Sequence, residues 1–295
     1  MNRPTAVPAK AGARGRFLRR KLVNASMLLL SGASAAFGLF WLFWILGTLV
    51  WRGVPALDWA FFTQLPTPPG MAGGGLANAI VGTLLITLVA TAIGVPVGLM
   101  AGTYLAEFGR QSALGRVVRF VADVMTSAPS IVIGVFVYAV LVQPFHGFSG
   151  FAGSVALAVI MIPVVVRTTE EMLKLVPNSL REAALALGAP YWKVVLRVCY
   201  RRVLGGLTTG ILLAIARVSG ETAPLLFTSL NNPYWSADFT KPMGTLNVTL
   251  FNYAMSPYDD WRAKAWAAAL LITMGVLLTT VVARVIVSKT QIGRS

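Results

Sequence analysis

Residues 177–224 read PNSLREAALALGAPYWKVVLRVCYRRVLGGLTTGILLAIARVSGETAP, a stretch that changes character halfway along. Its first part predicts a short helix, because Ser179 and Glu182 have capping-box spacing and alanines and leucines follow them. Gly188 and Pro190 are expected to end this helix after two to three turns. Such a helix is far shorter than the roughly 20 residues that cross a bilayer. The second part predicts a membrane span that carries two charges.

The overall composition is that of an integral membrane protein. Of the 295 residues, 56% are hydrophobic and 12% are charged, whereas soluble domains carry about 25% charged residues. The net charge of +15 does not indicate nucleic-acid binding, because the basic residues lie mostly at the ends of apolar runs and set membrane topology there. A single cysteine, Cys199, and a single histidine, His146, exclude a disulfide framework and a His/Cys metal cluster.

Hydropathy predicts an all-α chain with six membrane spans. A disordered basic tail (residues 1–21) precedes the first span and outer loop (22–75), a permease core (76–288) and a C-terminal tail (289–295). The first span is expected at 22–50, and the other five at 77–105, 121–142, 151–172, 203–228 and 264–287. Most Lys and Arg lie on one side of this layout. By the positive-inside rule, both termini and the loop around residue 182 are therefore expected in the cytoplasm.

Two charged pairs within the predicted spans are candidates for a functional site. Arg217 lies about 14 residues into the fifth span, roughly 21 Å along the helix axis, where burying an arginine costs at least about 2.5–3.5 kcal/mol. Glu221 follows at i+4 on the same helix face. The two are expected either to form an ion pair that fixes packing or to line a substrate pathway. Arg167 and Glu170 lie nearer the cytoplasmic end of the fourth span, where the same two interpretations apply.

Hydroxyl side chains beside a proline mark the third predicted span. Ser127 and Ser130 flank Pro129, and such hydroxyls can satisfy the backbone groups that a proline leaves free. The alternative interpretation is that both serines line a polar pathway through the membrane.

No motif for nucleotide binding or catalysis occurs in the sequence. The phosphate-cradling pattern G-x-x-x-x-G-K-[ST] is missing, so the chain is not expected to bind ATP by that route. It also has no metal-ligand motif and no catalytic constellation. We therefore expect a transport subunit without a cofactor of its own rather than an enzyme.

The residues Glu182, Ala183 and Ala184, followed by Gly188, resemble the EAA loop of ABC importer permeases. Their position between two hydrophobic spans strengthens this resemblance. Three further segments, at 127–136, 162–173 and 214–230, are similar to one permease subunit of phosphate importers. The likeness covers roughly residues 75–255.

This resemblance implies the six-span fold of type I ABC importer permeases, in the cell inner membrane. The EAA helix, at about residues 179–189, would couple to a cytoplasmic ATPase through Glu182, Ala183, Ala184 and Gly188. Arg167, Glu170 and Arg217 would take part in phosphate passage. The implied partners are a homologous second permease, two copies of the ATPase, which bind ATP and Mg, and an extracytoplasmic phosphate-binding protein.

Two other functions remain open at this point. The chain could be the permease of another oxyanion importer, for molybdate or sulfate. It could also be an ion-coupled secondary transporter that works alone, although no inverted repeat is visible in the sequence. In this second case the chain would need no partner other than membrane lipid.

Overall fold

The fold is built from α-helices, as the long apolar runs require, since a helix satisfies its own backbone hydrogen bonds inside a bilayer. The computed structural model describes the backbone of residues 11–292 and the side chains of residues 16–285. In chain order the helices are α1 (Ala11–Gly53), α2 (Trp59–Thr63), α3 (Ala77–Thr103), α4 (Ala113–Ser127), α5 (Ser130–Val137), α6 (Gly150–Lys174), α7 (Asn178–Ala186), α8 (Tyr191–Lys193), α9 (Tyr200–Ser219), α10 (Ala223–Thr228), α11 (Leu246–Ala254) and α12 (Asp259–Ile292).

Five of the described helices are long and apolar enough to cross a membrane. These stretches are Arg16–Ala56, Ala77–Phe108, Gly150–Lys174, Tyr191–Ser219 and Asp259–Val285. Helices α4 and α5 pass the same test together, although they are bent by 107° at the break between them. Counted as one broken span, this pair brings the total to the six that the sequence predicts.

Helix α1 is longer than the first predicted span. It begins at Ala11, so the prediction of a disordered tail is wrong for residues 11–21, and residues 1–10 lie outside the described part of the chain. Alanine, arginine, leucine and lysine favour helix, which lets the helix of the span extend back through the basic segment. The chain up to Trp51 forms one compact unit, and the chain from Arg52 onward forms a second.

Helices α3 and α6 form the centre of the second unit. Gly94, Gly98 and Gly102 recur every four residues and place one face of α3 against α6. A Cβ added at Gly98 would lie 2.6 Å from the Cβ of Val165, which shows how closely the backbones approach. The small residues on this face of α3 thus allow the two helices to pack closely.

The third predicted span is not one continuous helix over 121–142. Helix α4 ends at Ser127, and Ala128 is extended (φ −69°, ψ 136°). Pro129 explains this geometry, because a proline disfavours the helical conformation of the residue before it. Helix α4 also includes Arg116 and Arg119, which precede the predicted span at 121–142.

The loop before the last span contains a helix that the sequence analysis missed. Helix α11 has nine residues, and its buried residues include Asn247 and Thr249. A nine-residue helix is too short to cross a bilayer, so a search for membrane spans does not detect it. The last span begins at Asp259 instead of residue 264.

Candidate translocation and coupling sites

The fifth span is interrupted in its second half. Helix α9 ends at Ser219, residues 220–222 are not helical, and α10 resumes at Ala223. Pro224, in the first turn of α10, has no N–H with which to continue the α9 hydrogen-bond ladder. Asn247 stabilises the break, since its Nδ2 donates to the carbonyl oxygens of Ser219 at 2.8 Å and Glu221 at 2.7 Å.

This break lies at the middle depth of the helix bundle. Gly206 of α9 faces Met172 of α6, and Gly210 faces Thr168, so the two helices are antiparallel. Continuing this register along α9 brings Arg217 level with Met161, which is near the midpoint of α6. The depth predicted for Arg217 from the sequence agrees with this register.

The ion pair between Arg217 and Glu221, one of the two alternatives expected from the sequence, does not form in the structure. The i+4 geometry requires a continuous helix, whereas α9 ends between the two residues. Arg217 is exposed and Glu221 is half-buried. Neither side chain forms an ion pair with another described residue. A guanidinium group without a carboxylate partner is therefore held at mid-depth.

Ser130 lies near the same level as the break. Helix α5 packs against α10 so that a Cβ at Gly134 would lie 2.6 Å from the Cα of Pro224. Both helices run towards the start of α6, where Thr228 accepts a hydrogen bond from Ser149 and Tyr138 contacts Phe148. Gly134 and Pro224 are therefore at the same level. Ser130 lies four residues before Gly134, and the break lies just before Pro224, so these two are also at nearly the same level.

Ser127 is engaged differently from Ser130. Its hydroxyl donates to the carbonyl oxygen of Asp123 at 2.9 Å. This hydrogen bond satisfies a backbone group, as the first of the two interpretations of this serine expects. The Ser130 side chain forms no hydrogen bond with another described residue. Of the two serines, Ser130 is therefore the one whose hydroxyl is available near the break.

Arg167 and Glu170 lie on α6, closer to the end that leads into α7. Arg167 forms an ion pair with Asp123 of α4, and its Nη1 is 3.8 Å from Glu170 Oε2. The Glu170 side chain is 1% exposed and accepts from Arg119 Nε at 2.7 Å and Lys174 Nζ at 2.6 Å. Two cations thus hold Glu170 as a link between α4 and α6, a geometry that favours a positioning role over contact with a substrate.

The EAA helix is α7, and its predicted end is confirmed. Gly188 has φ +78°, its N–H donates to the Leu185 carbonyl at 2.9 Å, and the Ala189 N–H donates to the Ala184 carbonyl at 3.4 Å. This is the Schellman arrangement. The predicted capping box is wrong, because the helix begins at Asn178 and Ser179 lies inside its first turn.

The exposed surface of α7 is smooth. Glu182, Ala183 and Gly188 are exposed, and nothing lies within 4 Å of a Cβ placed at Gly188. The Leu187 side chain beside them is 89% exposed. Ala184 differs, since it packs against a buried apolar cluster of the same unit. Three of the four predicted coupling residues are therefore accessible to a partner.

The buried residues that hold α7 in place were not identified from the sequence. Arg181, directly before the EAA sequence, is 6% exposed and forms an ion pair with Glu107. The hydrogen bonds that Arg181 donates to the Glu107 carboxylate raise the pKa of Arg181, whereas burial acts in the opposite direction. No local pattern signals this pair, because its members are 74 residues apart.

Comparison with known proteins places this architecture in a family. Residues 94–292 match the family described as "Binding-protein-dependent transport system inner membrane component". The chain is 55% identical over 270 residues to the phosphate transport system permease protein PstA of Yersinia pestis, covering 92% of each chain. It is 36% identical to PstA 1 of Mycobacterium tuberculosis (strain CDC 1551 / Oshkosh), covering 91% of this chain and 90% of the relative.

Two solved structures share the fold at low sequence identity. A chain of the MetNI methionine ABC transporter in an inward-facing conformation has a TM-score of 0.62 and 22% identity, covering 72% of this chain and 95% of that chain. A chain of a bacterial ABC transporter involved in the import of alginate has a TM-score of 0.61 and 11% identity, covering 94% of this chain and 99% of that chain. The protein is thus a multi-pass helical protein of the inner membrane. The chain belongs to the family of binding-protein-dependent transport system inner membrane components, in the branch of the PstA permeases.

Proposed function

We propose that the chain is a permease subunit of an ATP-driven importer of inorganic phosphate, in which it forms half of the translocation pathway. Its PstA relatives carry the name of a phosphate transport system, and the fold is that of ABC transporter permeases. Translocation would occur between this chain and a homologous second permease.

The observation that carries this proposal is the environment of Arg217. Its guanidinium lies at mid-depth beside a helix break, is exposed on the isolated chain and has no carboxylate partner among the described residues. Arginine stays charged at every physiological pH and donates to phosphate through a planar fork. A second permease that covers this face would turn the exposed position into the wall of a pathway for an anion.

An arginine in the last turn of α9 also interacts favourably with the carbonyl end of the helix dipole. That interaction explains how the arginine charge is tolerated at the end of α9. It does not explain why a charge is present, because neutral hydrogen-bond donors can also satisfy the last carbonyl groups of a helix. Asn247 already supplies such a group at the break. We therefore assign Arg217 to the pathway, together with Glu221 and Ser130.

The chain would lie in the membrane with both termini and α7 in the cytoplasm. Basic residues are concentrated at the end of the spans that carries α7, among them Arg110, Lys174 and Lys193. At the other end, Lys241, Arg262 and Lys264 each pair with an aspartate. The positive-inside rule places the first group in the cytoplasm.

Energy would come from two copies of a separate ATPase, which bind ATP and Mg and dock on α7. The exposed surface of Glu182, Ala183, Leu187 and Gly188 is suited to such a docking partner. Movement of α7 would open the pathway near Arg217 alternately to the two sides of the membrane. An extracytoplasmic binding protein would deliver phosphate to the opposite end.

Purification of the tagged chain from its native membrane tests the proposed composition. We expect one copy of this chain, one copy of a distinct homologous permease and two copies of an ATPase, counted by intact-complex mass spectrometry. A complex that contained two copies of this chain and no second permease would contradict the heterodimer. Recovery of the chain alone, active in transport, would favour the ion-coupled secondary transporter.

A further inference from the structure

We propose that Arg181, together with Glu107 and Tyr191, joins the coupling helix α7 to the ends of three spans and transmits its movement to the translocation pathway. This inference rests on the proposed function, because it assumes a partner ATPase that moves α7. The three residues are positioning residues, since all of them lie away from the break at Arg217. Arg181 is on the buried face of α7, where it pairs with Glu107, and Tyr191 donates to Glu107.

The centre of this joint is a bidentate ion pair. Arg181 Nη2 lies 2.7 Å from Glu107 Oε1, and Arg181 Nε lies 3.2 Å from Glu107 Oε2. The two side chains are 7% and 1% exposed. Glu107 belongs to the π-helical turn Tyr104–Phe108 that ends the second span. Two parallel hydrogen bonds fix both the distance and the orientation between α7 and this span.

The same guanidinium also binds the end of α6. Arg181 Nη2 donates to the Leu173 carbonyl at 2.8 Å, and Nη1 donates to the Val176 carbonyl at 2.5 Å. The last carbonyls of a helix have no partner within it, so a buried cation satisfies them efficiently. Through this contact α7 is tied to the helix that carries Arg167.

Tyr191 connects the joint to the start of the fifth span. Its hydroxyl donates to Glu107 Oε2 at 2.6 Å, and its ring lies edge-on against Phe108 with centroids 5.4 Å apart. The apolar stretch Tyr191–Ser219 of the fifth span begins at this residue and carries Arg217 near its other end, just before the break. One buried carboxylate therefore links α7 to the span that holds the candidate pathway arginine.

Stability alone does not account for this arrangement. A buried ion pair rarely stabilises a fold more than apolar side chains of the same size do, and the neighbouring positions Leu173, Val176 and Cys199 already form an apolar cluster. Apolar contacts allow one helix to slide over another, whereas directional hydrogen bonds do not. The ion pair is thus suited to transmit displacement.

The test measures phosphate transported per ATP hydrolysed, using the complete complex in proteoliposomes. Tyr191→Phe removes one hydroxyl and keeps the ring, whereas Arg181→Met removes all contacts of the guanidinium and keeps an unbranched side chain. We expect a ratio lower by several-fold in both variants, and lowest in Arg181→Met, with normal amounts of bound ATPase. Arg116→Met, which removes an exposed arginine of α4, is expected to keep the wild-type ratio.

The outcomes separate this inference from the proposed function. If the wild-type complex transports phosphate and both variants keep its ratio, the joint does not transmit movement and the inference is wrong. If Arg181→Met does not assemble, Tyr191→Phe decides, and an unchanged ratio there contradicts the inference. If the wild-type complex itself transports no phosphate, the proposed function fails.

Discussion

Replacing Arg217 with alanine is expected to abolish phosphate uptake while the transport complex still assembles. The guanidinium has no ion-pair partner among the described residues and is exposed on the isolated chain, so its loss leaves no buried carboxylate unpaired. The cation that an anion would meet at mid-depth is lost completely. Uptake of radiolabelled phosphate into cells, compared with a membrane immunoblot and with the amount of co-purified ATPase, measures both effects.

Two further variants distinguish a pathway role of Arg217 from a structural one. Arg217→Lys keeps the charge but loses the planar fork, so partial uptake is expected. Arg217→Ala combined with Glu221→Ala removes both charges and is expected to stay inactive. Recovery of transport in the double variant would show that an unpaired Glu221, and not the loss of a pathway cation, had caused the defect.

Replacing Gly188 with tryptophan is expected to release the ATPase from an otherwise intact membrane subunit. Gly188 has φ +78°, a conformation that costs a residue with a Cβ about 1–2 kcal/mol. Nothing lies within 4 Å of a Cβ placed at Gly188, so a side chain can leave the backbone there without a clash, and its bulk would obstruct a docked partner. We expect normal insertion, loss of the ATPase on purification and no uptake.

Gly188→Ala and Gly188→Asn separate strain from obstruction. Alanine introduces the strain with little bulk, and asparagine tolerates the left-handed conformation better than other residues do. Both variants are expected to retain most of the bound ATPase. A fully active complex that contained Gly188→Trp would rule out docking at this surface.

The features that depend on local sequence could be predicted. The apolar runs gave the correct approximate positions of the spans, because hydrophobic length alone determines which segments cross a bilayer. Gly188 gave the correct end of α7, since a left-handed C-terminal residue depends only on its own backbone.

The two breaks within spans could not be predicted in the same way. The segment around Pro129 was predicted to lie inside one continuous span over residues 121–142, whereas the chain turns there by 107°. The break after Ser219 depends on Asn247, whose amide reaches it from another helix. The helical spacing that made an ion pair one of the two alternatives for Arg217 and Glu221 is removed by the break.

Long-range pairs account for the remaining differences. Arg181 and Glu107 are 74 residues apart, and Arg119 and Glu170 are 51 apart. No periodicity in a single sequence relates such residues. Glu170 was expected either to fix packing or to line the substrate pathway, and the structure places it in an ion pair with Arg119 at the α4–α6 contact.

The most direct measurement is uptake of radiolabelled phosphate by proteoliposomes that contain the complete complex and its binding protein, with and without ATP inside. We expect uptake that requires ATP, is competed by unlabelled phosphate and is not competed by equal concentrations of sulfate or molybdate. ATP-driven uptake of sulfate or molybdate without uptake of phosphate would contradict the proposed substrate. Uptake of phosphate by this chain alone, driven by an ion gradient, would contradict the ATP-driven importer.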